Sequence, residues 1–135
     1  MTATALDVAQ RLFDSIENKS VAAVAALYAD DVAVWHNFSN AVQTKAENLK
    51  VLEGLTKAVA HIRYEVQERL LLGERVMQRH LLRCRVENGE EVVIPACIFV
   101  TALNGKITRI DEYLDTAQSN ELGAAIQRAR SAAKR

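Results

Sequence analysis

The chain has 135 residues, half of them hydrophobic and a quarter charged, with 17 Lys+Arg balanced by 17 Asp+Glu. That length suits one well-buried domain and is too short for two ordinary ones. The balanced charge excludes a disordered chain and a basic field that would gather nucleic acid. Cys84 and Cys97 are too few for a disulfide framework and lack metal-ligand spacing, so both read as reduced thiols and no structural zinc is expected.

The start of the chain, Met1 to Asp7, lacks a basic region followed by a long apolar core, and no later run approaches a membrane span. A cytoplasmic protein with neither a membrane nor a nucleic-acid partner is expected, and a small neutral compound is the partner that fits. Residues 1–135 read as a single domain, with a core over about 5–117 and a C-terminal helix or tail over 118–135.

From about Ala5 to Asn18, Leu6, Ala9, Leu12, Phe13 and Ile16 recur at three- and four-residue steps, which predicts an amphipathic helix started by Thr4 or Asp7. Ser20 is placed to cap a second, shorter helix through Val21, Val24, Leu27 and Tyr28. The run Asp30-Asp31-Val32-Ala33-Val34-Trp35-His36-Asn37 then reads as a strand. Its alternation puts the His36 imidazole on the same face as Val32 and Val34, pointing toward an apolar interior. Asn37 to Asn40 is turn-rich, and Leu49, Leu52, Leu55 and Val59 restore helical spacing from about Lys45.

Beyond that point the period becomes two, over Ile62–Leu70, Val76–Val86, Val92–Leu103 and Ile107–Leu114. Gly73-Glu74, Asn88-Gly89 and Asn104-Gly105 separate these runs, and Asn-Gly pairs tolerate the positive φ of tight hairpins. An antiparallel meander follows, closed by a helix with Leu122, Ala125, Ile126 and Ala129 on one stripe and a solvated end from Gln127. Helices followed by strands predict an α+β fold, with helices on one face of a curved antiparallel sheet. In the second of these strands, Arg79, Arg83 and Arg85 occupy odd positions and resist burial, so the even set with Gln78 and His80 faces inward. In the last strand the even set contains Thr108, Ile110 and Glu112.

The phrase Leu27-Tyr28-Ala29-Asp30-Asp31-Val32, the ending Gly105 to Asp115 and the order of elements together resemble the SnoaL-like branch of the nuclear transport factor two superfamily. That superfamily also holds ketosteroid isomerases, limonene epoxide hydrolases, scytalone dehydratases and polyketide cyclases. The resemblance spans about Ala5 to Ala117 and implies a cone: a strongly bent sheet closed by helices around an apolar pocket. It places His36 where an isomerase keeps its base. It places Leu12 and Cys97 where the isomerase keeps its two oxyanion donors, roles that Leu cannot fill and a thiol fills weakly. Glu112 falls where an epoxide hydrolase keeps its last-strand Asp, while the Arg-x-Asp of that set has no clear counterpart near His80 to Arg83. A His with a carboxylate is also the chemistry of scytalone dehydratases.

A His pair and a Glu projecting into one cavity suit proton transfer, because an imidazole titrates near neutrality and a desolvated carboxyl can be raised toward it. The expected site is therefore His36 as general base, Glu112 as its acid or orienting partner, and His80, Gln78 and Asn37 polarising a substrate oxygen. Leu12, Tyr64, Cys97, Phe99 and Ile110 are expected to contact the substrate, with Cys97 facing inward beside Phe99. No cofactor and no metal are expected, although His36, His80 and Glu112 together would match a two-His-one-carboxylate set. The expected activity is cofactor-free isomerase, dehydratase or cyclase chemistry on a hydrophobic carbonyl or hydroxy compound. The alternative is a binding module in which the polar groups, His80 and Glu112 foremost, satisfy one another around a small apolar ligand or a partner domain. Trp35 and Tyr113 fall on the outward phase and suit packing or the interface of a homodimer.

Overall fold

The computed structural model describes residues 4–134. Helix α1 (Ala5–Glu17) begins at Thr4, whose hydroxyl accepts from the Asp7 amide while the Asp7 carboxylate accepts from the Thr4 amide, a reciprocal cap that satisfies two free amides. It buries Val8, Ala9, Leu12, Phe13 and Ile16 along the predicted stripe. Ser20 caps the short α2 (Val21–Leu27), and Thr44 with Glu47 repeats the reciprocal cap at α3 (Lys45–Ala58).

Six strands make one sheet in the order β2-β1-β6-β5-β4-β3. They are β1 (Tyr28–His36), β2 (Ala41–Gln43), β3 (His61–Leu72), β4 (Arg75–Arg85), β5 (Glu91–Leu103) and β6 (Lys106–Leu114). The last four form the expected antiparallel meander. Asn104 and Gly105 both hold positive φ in the β5–β6 turn, as a two-residue hairpin of this kind requires. Asn88-Gly89 works differently: only Gly89 has positive φ, inside a longer loop closed by Val86 and Glu90.

Strand β1 joins the sheet parallel to β6, with His36 level with Glu112 and Val34 level with Ile110. The three-residue β2 pairs with the end of β1, Trp35 opposite Val42 and His36 opposite Ala41. Sequence reading passed over β2 because a three-residue strand behind four turn formers carries almost no periodic signal.

A bulge at Thr108 of β6, opposite the step from Thr101 to Ala102 in β5, breaks the strict alternation expected of the last strand. Ile107 and Ile110 are both buried, while Thr108 lies between the two phases with its hydroxyl near the Thr101 carbonyl. The inward place expected for Thr108 is therefore corrected, whereas Ile110, Glu112 and Leu114 keep theirs. A second bulge, at Gln67 in β3, turns Arg69 inward, where its Nε donates to Gln78.

Helix α4 (Thr116–Ala133), capped by Asp115, packs Leu122, Ala125 and Ala129 into the core. Its exposed side is tied down by Arg128, which pairs with Glu90 and Glu121. Among the described residues no helix is long and apolar enough to cross a membrane.

Candidate active site

Between the sheet and the helices lies a cavity of about 220 Å³. Its walls come from Leu12, Phe13 and Ile16 of α1, Val51, Leu52 and Leu55 of α3, and the inward residues Val34, Tyr64, Leu82, Ile94, Ala96, Ile98 and Ile110 of the strands. Tyr28, Asn48, His36, Glu112 and Ser119 supply its polar groups, and among the described residues no Lys or Arg lines it. Phe38 stands at its mouth, 53 % exposed, with its ring stacked on His36 at 5.0 Å between centroids.

His36 and Glu112 are neighbours because the parallel β1–β6 register sets them level, and level residues on adjacent strands point to the same face. His36 Nε2 lies 3.2 Å from Glu112 Oε1, with side chains only 12 % and 16 % exposed. His36 Nδ1 is buried with no hydrogen-bond partner. The pair uses one carboxylate oxygen, which leaves Oε2 free to meet a ligand.

The pairing anticipated between His80 and Glu112 does not form. His80 is fully buried behind Phe13 and Tyr64, its ring centroid 5.8 and 4.9 Å from theirs, and it is not part of the cavity wall. Its Nδ1 is 2.9 Å from Gln78 Nε2. Arg69 can only donate, so Gln78 Oε1 accepts from Arg69 Nε at 2.7 Å and Gln78 Nε2 must donate to His80. His80 is thereby held with its proton on Nε2. Burial pushes its pKa below the ordinary histidine value; the nearby Glu112 carboxylate opposes this and Arg69 adds to it.

The polarising roles expected of His80, Gln78 and Asn37 are corrected by these partners. Gln78 is occupied between Arg69 and His80, and Asn37 is a strand staple. The Asn37 amide donates to the Leu114 carbonyl at 3.2 Å, and its oxygen accepts from the Leu114 amide at 3.0 Å.

Cys97 and Phe99 are corrected too. Residues directly opposite in an antiparallel pair share a face, and Cys97 is level with Arg79, Phe99 with Met77. Both therefore point to the outer face, where Phe99 lies beneath the Arg75 guanidinium at 4.7 Å. The inward set of β5 is Ile94, Ala96, Ile98 and Val100. A two-residue Asn88-Gly89 hairpin would have set Cys97 level with His80 and Phe99 with Gln78; the longer loop closed by Val86 and Glu90 shifts the register by one residue and sends both outward. Leu12, Tyr64 and Ile110 do line the cavity.

Two cavity groups escaped sequence reading. Tyr28 donates its hydroxyl to Asn48 Oδ1 at 2.7 Å, and Asn48 Nδ2 donates to Gln43 Oε1 at 2.9 Å. Asn48 is a buried amide on the apolar stripe of α3, the one local signal that marks it. Burial, with the Glu112 charge adding to it, raises the Tyr28 pKa well above the ordinary phenol range. Among the described residues, no three or more His, Cys, Asp or Glu side chains cluster as a metal would require.

A bent mixed sheet, helices packed on its inner face and a small apolar cavity with a His–Glu pair in its wall define an α+β protein of the nuclear transport factor two-like class. The SnoaL-like domain family matches residues 9–110, and the chain belongs to it. Comparison with curated proteins returned no match. Among solved structures, the chain is similar to a SnoaL-like polyketide cyclase candidate from Shewanella denitrificans, at TM-score 0.78 and 9 % identity over 90 % of this chain and 97 % of that one. It is similar to a Catenulispora acidiphila protein with a ketosteroid isomerase-like fold, at TM-score 0.70 and 12 % identity over 82 % and 86 %. An LEH-like epoxide hydrolase of M. tuberculosis superposes at TM-score 0.73 and 16 % identity over 97 % and 95 %. At these identities the likeness is one of fold.

Proposed function

We propose that this protein is a cofactor-free acid–base enzyme of the isomerase, dehydratase or cyclase type, acting on a compact hydrophobic carbonyl or hydroxy compound. The observation that carries the reading is the His36–Glu112 pair, set 3.2 Å apart in the wall of a mainly apolar cavity. A desolvated proton acceptor in a water-poor pocket is worth far more than the same group in water. His36 donates Nε2–H to Glu112 Oε1 and orients the carboxylate; Glu112 Oε2 takes the substrate proton, and the resulting acid returns it. This distribution replaces His36 as the terminal base, since its remaining nitrogen, Nδ1, is buried out of reach. The cyclase-type and hydrolase-type descriptions of structural relatives suit such chemistry.

The binding-module alternative draws on polar groups that bond to one another, Tyr28 to Asn48, Gln78 to His80 and Asn37 to Leu114. Deuterium exchange at the α-carbon of a small cyclic ketone such as cyclohexenone, followed by NMR, separates the two. Acceleration that falls about a hundredfold or more in Glu112→Gln and His36→Ala supports the enzyme. Full rates in both variants remove the pair from the mechanism, and no acceleration by the native protein favours the module. The same reading includes a homodimer through the outer sheet face, where Tyr113 is 52 % exposed and packs edge-on against Trp35. A monomer mass by light scattering would overturn that part.

A further inference from the structure

We infer that the cavity takes a neutral, single-ring-sized molecule through a phenol-type hydroxyl, held between the Tyr64 hydroxyl, which donates, and the Glu112 carboxylate, which accepts. This rests on the same cavity as the proposed function and names the chemistry of its ligand.

The first support is what the cavity lacks. Among the described residues its wall contains the Glu112 carboxyl and no Lys or Arg, since Arg69 is turned away behind Phe13 toward Gln78 and Gln10. A carboxylate or phosphate brought inside would lose its hydration, gain no cation and face Glu112, a cost no apolar wall repays.

The second is the polarity of the groups that remain. The Tyr28 hydroxyl already donates its hydrogen bond to Asn48, and His36 uses Nε2 on Glu112. Among the described residues Tyr64 is the cavity's phenol without a hydrogen-bond partner. A ketone oxygen could accept from Tyr64 but would leave Glu112 Oε2 unmatched. A hydroxyl satisfies both at once, donating to one and accepting from the other.

The third is how firmly Tyr64 is held. Its amide donates to Glu17 Oε2 at 2.8 Å, and its ring is met edge-on by Phe13 at 4.9 Å and by His80 at 4.9 Å. His80 is itself locked by the Arg69–Gln78 chain. A donor whose rotamer is set before binding loses little entropy when the ligand arrives. Burial, reinforced by the Glu112 charge, also raises the Tyr64 pKa, which keeps its proton in place for donation.

Size and shape set the rest. A cavity of about 220 Å³ is smaller than the roughly 300–1,000 Å³ that drug-sized ligands occupy, and its walls include the aromatic side chains of Phe13, Tyr28 and Tyr64.

The test uses three single-ring probes of similar bulk: para-cresol, its methyl ether para-methylanisole, and the anion para-toluate, with dissociation constants from calorimetry or ligand-observed NMR. Para-cresol is expected to bind at least tenfold more tightly than the ether, and para-toluate most weakly. In Tyr64→Phe, whose ring preserves the packing, cresol affinity should fall about tenfold, and ether affinity, which has only a weaker acceptor to lose, by less. An unchanged melting temperature would show that the variant folds. Para-toluate binding as well as cresol, cresol affinity indifferent to Tyr64→Phe, or no binding of any probe at millimolar concentration would each overturn the inference. Cresol binding that needs the Tyr64 hydroxyl, alongside no catalysed exchange, would leave this inference standing and refute the enzyme.

Discussion

His36 Nε2 and Glu112 Oε1 lie 3.2 Å apart on adjacent parallel strands, one contributed from residue 28 onward and the other from residue 106 onward. Because both side chains are mostly withdrawn from water, removing one leaves the other with an unpaired polar atom. His36→Ala is therefore expected to cost about 1–3 kcal/mol of stability, more than the paired change of His36→Phe with Glu112→Leu, which removes both polar groups. Chemical denaturation of the three proteins checks this; a double variant less stable than the single would show that the pair is a net stabiliser of the fold.

His80 carries a pH dependence whose sign follows from burial. Its pKa is lowered from the ordinary 6.5 in the folded chain, so the unfolded chain takes up a proton first as pH falls. Its contribution to stability is complete above about pH 6.5 and declines below it, by at most about 1.4 kcal/mol per pH unit, until the folded His80 titrates. Between pH 6.5 and about 5, where ordinary carboxylates remain ionised, the melting temperature should drop. In His80→Gln that slope should flatten. An equally steep slope in the variant would assign the effect elsewhere.

Asn37 ties β1 to β6 by giving and receiving one hydrogen bond with the Leu114 backbone. Asn37→Ala should cost about 1–2 kcal/mol and speed hydrogen exchange at the Leu114 amide. Exchange at Leu114 equal to the native rate would deny the staple.

Asn48 is the buried amide whose oxygen accepts the Tyr28 hydroxyl's hydrogen bond. Asn48→Leu fits an apolar stripe yet strands the Tyr28 hydroxyl, so a loss of about 1–3 kcal/mol is expected. Tyr28→Phe added to Asn48→Leu should recover part of it, and a melt showing no recovery would refute the coupling.

Thr44 and Glu47 cap α3, the helix that supplies Val51, Leu52 and Leu55 to the cavity. Thr44→Ala should lower stability by about 1 kcal/mol, while Thr44→Ser should stay near native. Equal melting temperatures for all three would remove the cap from the account.

Local periodicity carried most of the fold. The stripe Leu12, Phe13, Ile16 is a helix because apolar residues at helical spacing have one face to bury, and Thr4, Ser20 and Asp115 start helices because their side chains accept free amides. The meander follows from period-two runs separated by Gly and Asn. The inward phase of β4 was legible because three arginines cannot share a core. These are short-range facts, and a single sequence holds them.

What tertiary structure decided was phase after each interruption and the choice of partner. The bulge at Thr108 puts Ile107 in the same phase as Ile110, so Ile107 is buried against the expected alternation and Thr108 loses its inward place. The pairing of β5 with β4 sent Cys97 and Phe99 outward. His36 met Glu112 instead of His80 because β1 docks parallel to β6, a contact between segments some 75 residues apart that no local pattern encodes. The residues of the candidate pair could be named from sequence, but only the sheet order, set by burial of the whole apolar face, determined which of them touch.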